Sequence, residues 1–405
     1  MGNRKVVGAG LTEELFVIRR DLQKNPPLPK SKVKRSITQL PITNYQNPMQ
    51  KRIGILTSGG DCPGLNCAIR AVVSHAKLQH DWEVLGIPYA TQGLLERKTT
   101  LFNLHGLDLR GIDPLLSMGG TILGSINKGD TLAHASEIIA SYRALALDAL
   151  IAIGGDGSLS ILHQLACQGN WNLIAIPKTI DNDVALTERA IGFDTAVNTI
   201  VDALNRLTFT DASHDRVMVV EVMGRTAGHL ALHAGIAGGA DCILIPEIPY
   251  SIDGVCHQIS ELRDRWGRKF AIVVVAEGAK TANDSSIAQT QNLASLECGM
   301  GQYIANQIKS YNTLTDRLDV RVSILGHIQR GGIPSALDRL TATAFGKAAV
   351  DLIAREQYGQ MVAWQNGRVV DVPIADVVAR SPLPVAPDNY LVQTARCMGI
   401  YVGDG

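Results

Sequence analysis

Two segments of this chain share one pattern: a short apolar run, a glycine-rich turn carrying an aspartate, then apolar residues at helical spacing. Ile53-Gly54-Ile55-Leu56 leads into Thr57-Ser58-Gly59-Gly60-Asp61, after which Ala68, Ile69, Val72, Val73 and Ala76 recur as a helix face. Ala149-Leu150-Ile151-Ala152-Ile153 leads into Gly154-Gly155-Asp156-Gly157-Ser158, and Leu159, Leu162, Leu165 and Ala166 then mark a helix that stops at Gly169. Further apolar runs at 173–176, 217–222, 242–245, 271–276 and 320–324 read as strands. Strands without polar alternation have to be buried on both faces, and the intervening helices supply the cover. The expected fold class is therefore α/β with mainly parallel sheets. The chain has no internal repeat and no low-complexity tract.

Composition narrows the function classes. At 405 residues and 46% hydrophobic, the chain has material for a large core and a length suited to two or three domains. Its 38 Lys+Arg balance 38 Asp+Glu, which argues against a dedicated nucleic-acid binder. No apolar run reaches the ~18 residues of a membrane span. The neutral total hides an asymmetry: residues 1–52 hold eleven basic side chains and three acidic ones, broken by Pro26, Pro27, Pro29, Pro41 and Pro48. Residues 1–51 are expected to form a basic arm with one short amphipathic piece near Leu11–Leu22. Such an arm reads as a solvated or surface-wrapping tail, with an oligomer contact or a targeting role as the alternative. Arg19, Arg20 and Asp21 interrupt what would be the apolar stretch of a signal peptide, and Val6 stands where a myristoylation signal wants Ser or Thr. The seven cysteines include no Cys-x-x-Cys and no zinc spacing, so reduced thiols in a cytoplasmic protein are expected.

In open α/β sheets, ligands bind beyond the carboxyl ends of the strands, where both glycine turns fall. Glycine lets backbone N–H groups approach phosphate oxygens at a helix N-terminus, so each turn reads as a phosphate cradle or as a plain tight turn. Neither is a P-loop. Lys178-Thr179-Ile180-Asp181-Asn182-Asp183 follows a strand. Carboxylates two residues apart suit proton abstraction and magnesium organisation, and their mutual repulsion raises at least one pKa. An Asx-rich turn is the plainer reading. Arg216, Arg225, Arg321 and Arg330 read as phosphate clamps or as surface ion pairs.

Six motifs in order carry a resemblance: Thr-Ser-Gly-Gly-Asp-Cys-Pro-Gly-Leu-Asn (57–66), Gly-Gly-Thr-Ile-Leu-Gly-Ser (119–125), Gly-Gly-Asp-Gly-Ser (154–158), Pro-Lys-Thr-Ile-Asp-Asn-Asp (177–183), Val-Glu-Val-Met-Gly-Arg (220–225) and Leu-Gly-His-Ile-Gln-Arg-Gly-Gly (325–332). From about Arg52 to about Leu352 the chain resembles the 6-phosphofructokinase A family. The resemblance implies two Rossmann-like lobes with the site in the cleft between them. A nucleotide-binding lobe would span 52–192 plus 329–380, and a sugar-phosphate lobe 193–328 plus 381–405. It implies transfer of a phosphoryl group from ATP, with Mg²⁺, to the 1-hydroxyl of fructose 6-phosphate, the glycolytic reaction. Asp181 would be the general base, supported by Asp183. Asp156 would ligate Mg²⁺, while Gly60, Gly157 and Ser158 hold the donor phosphates. Thr179 and Arg225 would stabilise the transferring group. Met223, Glu277, His327 and Arg330 would bind the sugar phosphate, together with Thr179, Asp181 and Arg225. Arg216 and Arg321 would reach in from a neighbouring subunit, which makes a homo-oligomer, a tetramer, part of the site.

The sequence departs from the bacterial pattern at three places. Asn127 stands where many bacterial members have Arg, and nucleotide contact would pass to Lys128. Arg70 matches the bacterial effector cluster but Ser74 does not, which puts bacterial-type regulation in doubt. Lys178 replaces a glycine and is similar to pyrophosphate-using members and to a subgroup using ATP. Gly157, where pyrophosphate users carry Asp, points the other way, so ATP is the expected donor and pyrophosphate the alternative. A non-catalytic regulatory subunit that only binds sugar phosphates would have lost an acid or base, whereas Asp156, Asp181, Asp183 and Arg225 are all present.

Overall fold

The computed structural model describes residues 50–103, 113–125, 131–282, 299–311 and 318–404. All but the last two residues of the expected basic arm lie outside them, as do Asn127 and Lys128. In chain order the first elements are β1 (Arg52–Thr57), α1 (Leu65–His80), β2 (Glu83–Gly86), α2 (Thr91–Leu95), β3 (Thr100–Phe102), α3 (Ala135–Ala144), β4 (Ala149–Gly154), α4 (Asp156–Gly169) and β5 (Leu173–Pro177). There follow α5 (Phe193–Ser213), β6 (Arg216–Val222), α6 (His229–Ala237), β7 (Cys242–Leu244), α7 (Ile252–Trp266), β8 (Ala271–Ala276), α8 (Gly299–Ser310) and β9 (Asp319–Ile324). The last are α9 (Ala336–Ala354), β10 (Gln360–Gln365), β11 (Arg368–Pro373), α10 (Ile374–Arg380) and α11 (Tyr390–Cys397).

These strands make two sheets. The larger runs β11-β10-β5-β4-β1-β2-β3 and the smaller β7-β8-β6-β9. The strands read from continuous apolar runs behave as that pattern requires: every residue of β4, β5 and β8 is buried. Parallel pairing joins them throughout the smaller sheet and the centre of the larger one. The sheets are mainly parallel, as expected; the exceptions are at the edges of the larger sheet, where β3 and β11 run antiparallel to β2 and β10. At β11 the cause is local. Asn366 and Gly367 both have positive φ, 51° and 77°, and join paired Gln365 and Arg368 in a two-residue hairpin.

Helix faces follow the predicted spacing. Ala68, Ile69, Val72, Val73 and Ala76 are buried in α1, and Leu159, Leu162, Leu165 and Ala166 in α4. Helix α9 packs closely on α1 because Gly346 has no side chain; a Cβ there would stand 2.7 Å from the Cβ of Ala71. Edge strand β9 is largely exposed, like β3 and β11: only Val320 is buried, and Arg321 and Ile324 face solvent.

A short strap after α10 ties the two halves together. Ala185 N–H donates to Ser381 Oγ (2.9 Å) and Leu383 N–H to the Asp183 carbonyl (2.6 Å). On the other side Val385 N–H donates to Glu247 Oε1 (2.8 Å), which also takes Gly228 N–H (2.9 Å), and His229 Nε2 lies 3.1 Å from the Leu383 carbonyl.

Candidate active site

The carboxyl ends of β1, β4 and β5 release three loops that converge on one cavity of about 200 Å³. Gly59, Gly60 and Asp61 come from the first, Gly155, Asp156, Gly157 and Ser158 from the second, and Lys178, Thr179, Ile180 and Asp181 from the third. Arg330, which follows β9 of the smaller sheet, completes the cavity. Its guanidinium packs on bare backbone, since a Cβ on Gly60 would stand 3.0 Å from Nη1.

Lys178 joins the two glycine turns. It is only 4% exposed, and a Cβ at Gly59 or Gly155 would stand 3.3 or 3.7 Å from its Nζ. Burial lowers its pKa, and Arg330 adds to this, while Asp181 and Asp156 oppose it. A cation buried under both turns is matched chemically by an anion above them. Gly157 has nothing within 4 Å of where a Cβ would be, so the space over this turn is open.

The turns are fastened from behind. Asn66, fully buried, donates to the carbonyls of Met118 (3.2 Å) and Gly119 (3.1 Å) and accepts from Ile122 N–H (2.8 Å). Thr57 Oγ1 donates to the Gly124 carbonyl at 2.7 Å, and Ser125 Oγ donates to the Gly59 carbonyl. The 119–125 loop is thereby held beside the first turn.

The two carboxylates differ. Asp181 and Asp183 each keep one buried oxygen, Oδ1, without a hydrogen-bond partner among the described residues. Burial raises the pKa of both. Asp183, with Asp156 and Asp181 adding repulsion, is pushed up to about 7, while Arg330 and Lys178 restrain Asp181. Thr179 Oγ1 accepts Asp181 N–H at 3.0 Å, leaving its own hydroxyl hydrogen free to donate.

The smaller sheet contributes loops after β6, β8 and β9. Gln329, fully buried, accepts Met223 N–H at 3.2 Å and donates to the Gly326 carbonyl at 2.9 Å, which fixes Met223 against the loop bearing His327 and Arg330. Burial raises the pKa of Glu277, Asp181 and Glu221 raise it further, and Arg330 and Arg225 lower it. The loops of both sheets thus share one electrostatic field. Arg216 and Arg321 do not join them. They sit towards the amino ends of β6 and β9, and six residues of strand, about 20 Å, separate Arg216 from Val222.

Asn66 and Gln329 have no role in the sequence analysis, although Asn66 closes the first motif and Gln329 lies inside the last. A larger cavity of about 620 Å³ lies between α9 and the β10–β11 hairpin; of its two carboxylates, Asp351 and Asp371, the first is already engaged by His75 and Lys347.

Two α/β halves whose strand ends meet over a cation-floored, glycine-walled cleft define a protein built to hold phosphate groups between lobes. The chain belongs to the phosphofructokinase family, whose model matches residues 52–353. It is 75% identical over 357 residues to ATP-dependent 6-phosphofructokinase 2 of a Nostoc species, covering 88% of this chain and 99% of that one. It is 64% identical over 355 residues to the ATP-dependent 6-phosphofructokinase of Thermosynechococcus vestitus, covering 88% of this chain and 94% of that one. Among solved structures it resembles Pichia pastoris phosphofructokinase in the T-state, with a TM-score of 0.70 and 32% identity. That match covers 88% of this chain but only 40% of the longer Pichia chain.

Proposed function

We propose that this chain is an ATP-dependent 6-phosphofructokinase, transferring the γ-phosphoryl group of ATP to the 1-hydroxyl of fructose 6-phosphate. The observation that carries this reading is the cavity where Asp181 meets the two glycine turns, Lys178 and Arg330. Thr179, through its free hydroxyl hydrogen, and Arg225 donate to the transferring group, where charge spreads over three oxygens. Gly60, Gly157 and Ser158 receive the donor phosphates, with Lys178 beneath them. Asp156 would hold Mg²⁺ with Asp183 in support, whose buried Oδ1, unpartnered among the described residues, is the kind of oxygen a hard cation takes. When bound, Mg²⁺ supplies charge neutralisation across the donor phosphates.

The lobes of this reading are 52–192 plus 329–380 for the nucleotide and 193–328 plus 381–405 for the sugar phosphate. Met223, Glu277, His327 and Arg330 serve the sugar phosphate. Arg216 and Arg321 serve it in a neighbouring copy's cleft, which makes a tetramer the working form. Their distance from their own cleft and the exposed edge of β9 support that assignment. The protein works in the cytoplasm; among the described residues no helix is long and apolar enough to cross a membrane.

Initial rates with fructose 6-phosphate, comparing ATP, ADP and pyrophosphate, test the reading. ATP is expected to give the highest kcat/KM. A preference for pyrophosphate would overturn the donor and leave the sugar substrate standing.

A further inference from the structure

Three charged side chains on one face of the smaller sheet form a unit left unexplained so far. Asp319 opens β9 directly opposite Arg216, and Arg321 follows two residues on, on the same face. One carboxylate serves both arginines. Asp319 Oδ2 accepts Nε–H of Arg216 at 2.8 Å and Nη2–H of Arg321 at 3.3 Å, while Oδ1 faces Nε of Arg321 at 2.8 Å. This two-point contact on Arg321 is the geometry in which a guanidinium grips a phosphate.

Other nearby acids are not hydrogen-bonded to either arginine among the described residues, although the Arg216 charge acts on Asp211. Asp215 faces Lys269 at 3.7 Å. Asp211, fully buried at the end of α5, has neither oxygen hydrogen-bonded among the described residues. The hydrogen bond from Arg216, before that from Arg321, holds the Asp319 carboxyl below its ordinary pKa, so it is a full anion at neutral pH.

We propose that Asp319 is a specificity-determining placeholder, its carboxylate occupying the guanidinium forks of Arg216 and Arg321 until the phosphate of the sugar displaces it. The inference rests on the reading that these two arginines bind sugar phosphate. A carboxylate carries one negative charge and a phosphate monoester nearly two, so the monoester displaces Asp319 where singly charged anions compete on equal terms. Exchange does not require the core to open, because the Arg321 and Asp319 side chains are 58% and 40% exposed. Exposed ion pairs shift equilibria by about two- to fivefold, which bounds the effect.

Asp319→Asn keeps the shape and removes the competing charge. In the full-length protein with ATP as donor, the KM for fructose 6-phosphate is expected to fall about two- to fivefold while the KM for ATP holds. Inhibition by inorganic phosphate, competitive with the sugar phosphate, is expected to strengthen by a similar factor. Asp319→Glu retains the charge and is expected to stay near the parent; if it copies Asn, packing and not charge is responsible and the placeholder is overturned. Arg321→Ala, assayed in parallel, is expected to raise the sugar-phosphate KM. If it does so while Asp319→Asn raises KM or leaves it unchanged, Asp319 merely scaffolds the arginines and the proposal fails with the arginine assignment intact. If Arg321→Ala leaves KM unchanged, the assignment and the proposal fail together.

Discussion

Gly157→Asp isolates the donor question, because the structure removes the usual objections to adding a side chain. The position lies in the first turn of α4, is exposed, and offers no atom within 4 Å of a new Cβ. An acid there also suits the positive end of the helix dipole, so folding should not suffer. What remains is charge. A carboxylate about 6 Å from one phosphate charge, at an effective dielectric constant of about 20–40, costs about 1.4–3 kcal/mol. That is a loss of about 10- to 100-fold in kcat/KM for ATP. Steady-state rates with ATP varied at saturating fructose 6-phosphate would measure it, with thermal unfolding as the folding control. A folded variant whose kcat/KM for ATP drops less than threefold would show that donor phosphates do not lie over this turn.

Asp181→Asn should cut kcat by ~10²–10⁴ and leave sugar-phosphate binding largely intact; a kcat within threefold of the parent would remove Asp181 as the base. Mixing Arg321→Ala with Arg330→Ala subunits should regenerate some intact sites if one copy completes another's cleft, and verified hybrids without recovered activity would count against sharing. His233 stacks edge-on against Phe193, and burial, with help from the His229 charge, lowers its pKa to about 4. The unfolded chain therefore binds the extra proton between pH 6.5 and 4, and stability falls as pH falls through that window, by at most about 3 kcal/mol. Denaturant unfolding across this range should show a shallower loss in His233→Gln; an unchanged slope would refute the assignment.

The central strands were legible because full burial on both faces leaves runs such as Ala149–Ile153 with no polar alternation. The hairpin β10–β11 was equally open to reading, since Asn366-Gly367 is a strong turn signal, but no apolar run as pure as the others called attention to it. Edge strand β3 is three residues long, too short for any periodicity. At the site, glycines and acids could be found because phosphate chemistry restricts the residue types. The fastenings could not: Asn66 and Gln329 act through backbone groups distant in sequence, Met118–Ile122 and Met223, and only the fold brings those within reach. Likewise Ser335 caps α9 by accepting Asp338 N–H at 3.1 Å. Yet Asp338 also accepts from Gly192 and Thr195 N–H, anchoring the start of α5, a long-range role no local pattern announces.

The strap at Ser381–Val385 bears on how the protein is made. A ribosome delivers residues in order, and regions fold as they emerge. Every glycine turn and both sheets are complete once α10 has been added, but the bonds from Leu383 to Asp183 and from Val385 to Glu247 are not. Tyr401, which pairs with Cys242 beside β7, arrives later still. A chain cut short after Arg380 would carry every recognisable motif with its carboxylate loop untethered. The order of the carboxylate loop is thus set by residues that carry none of the recognisable motifs.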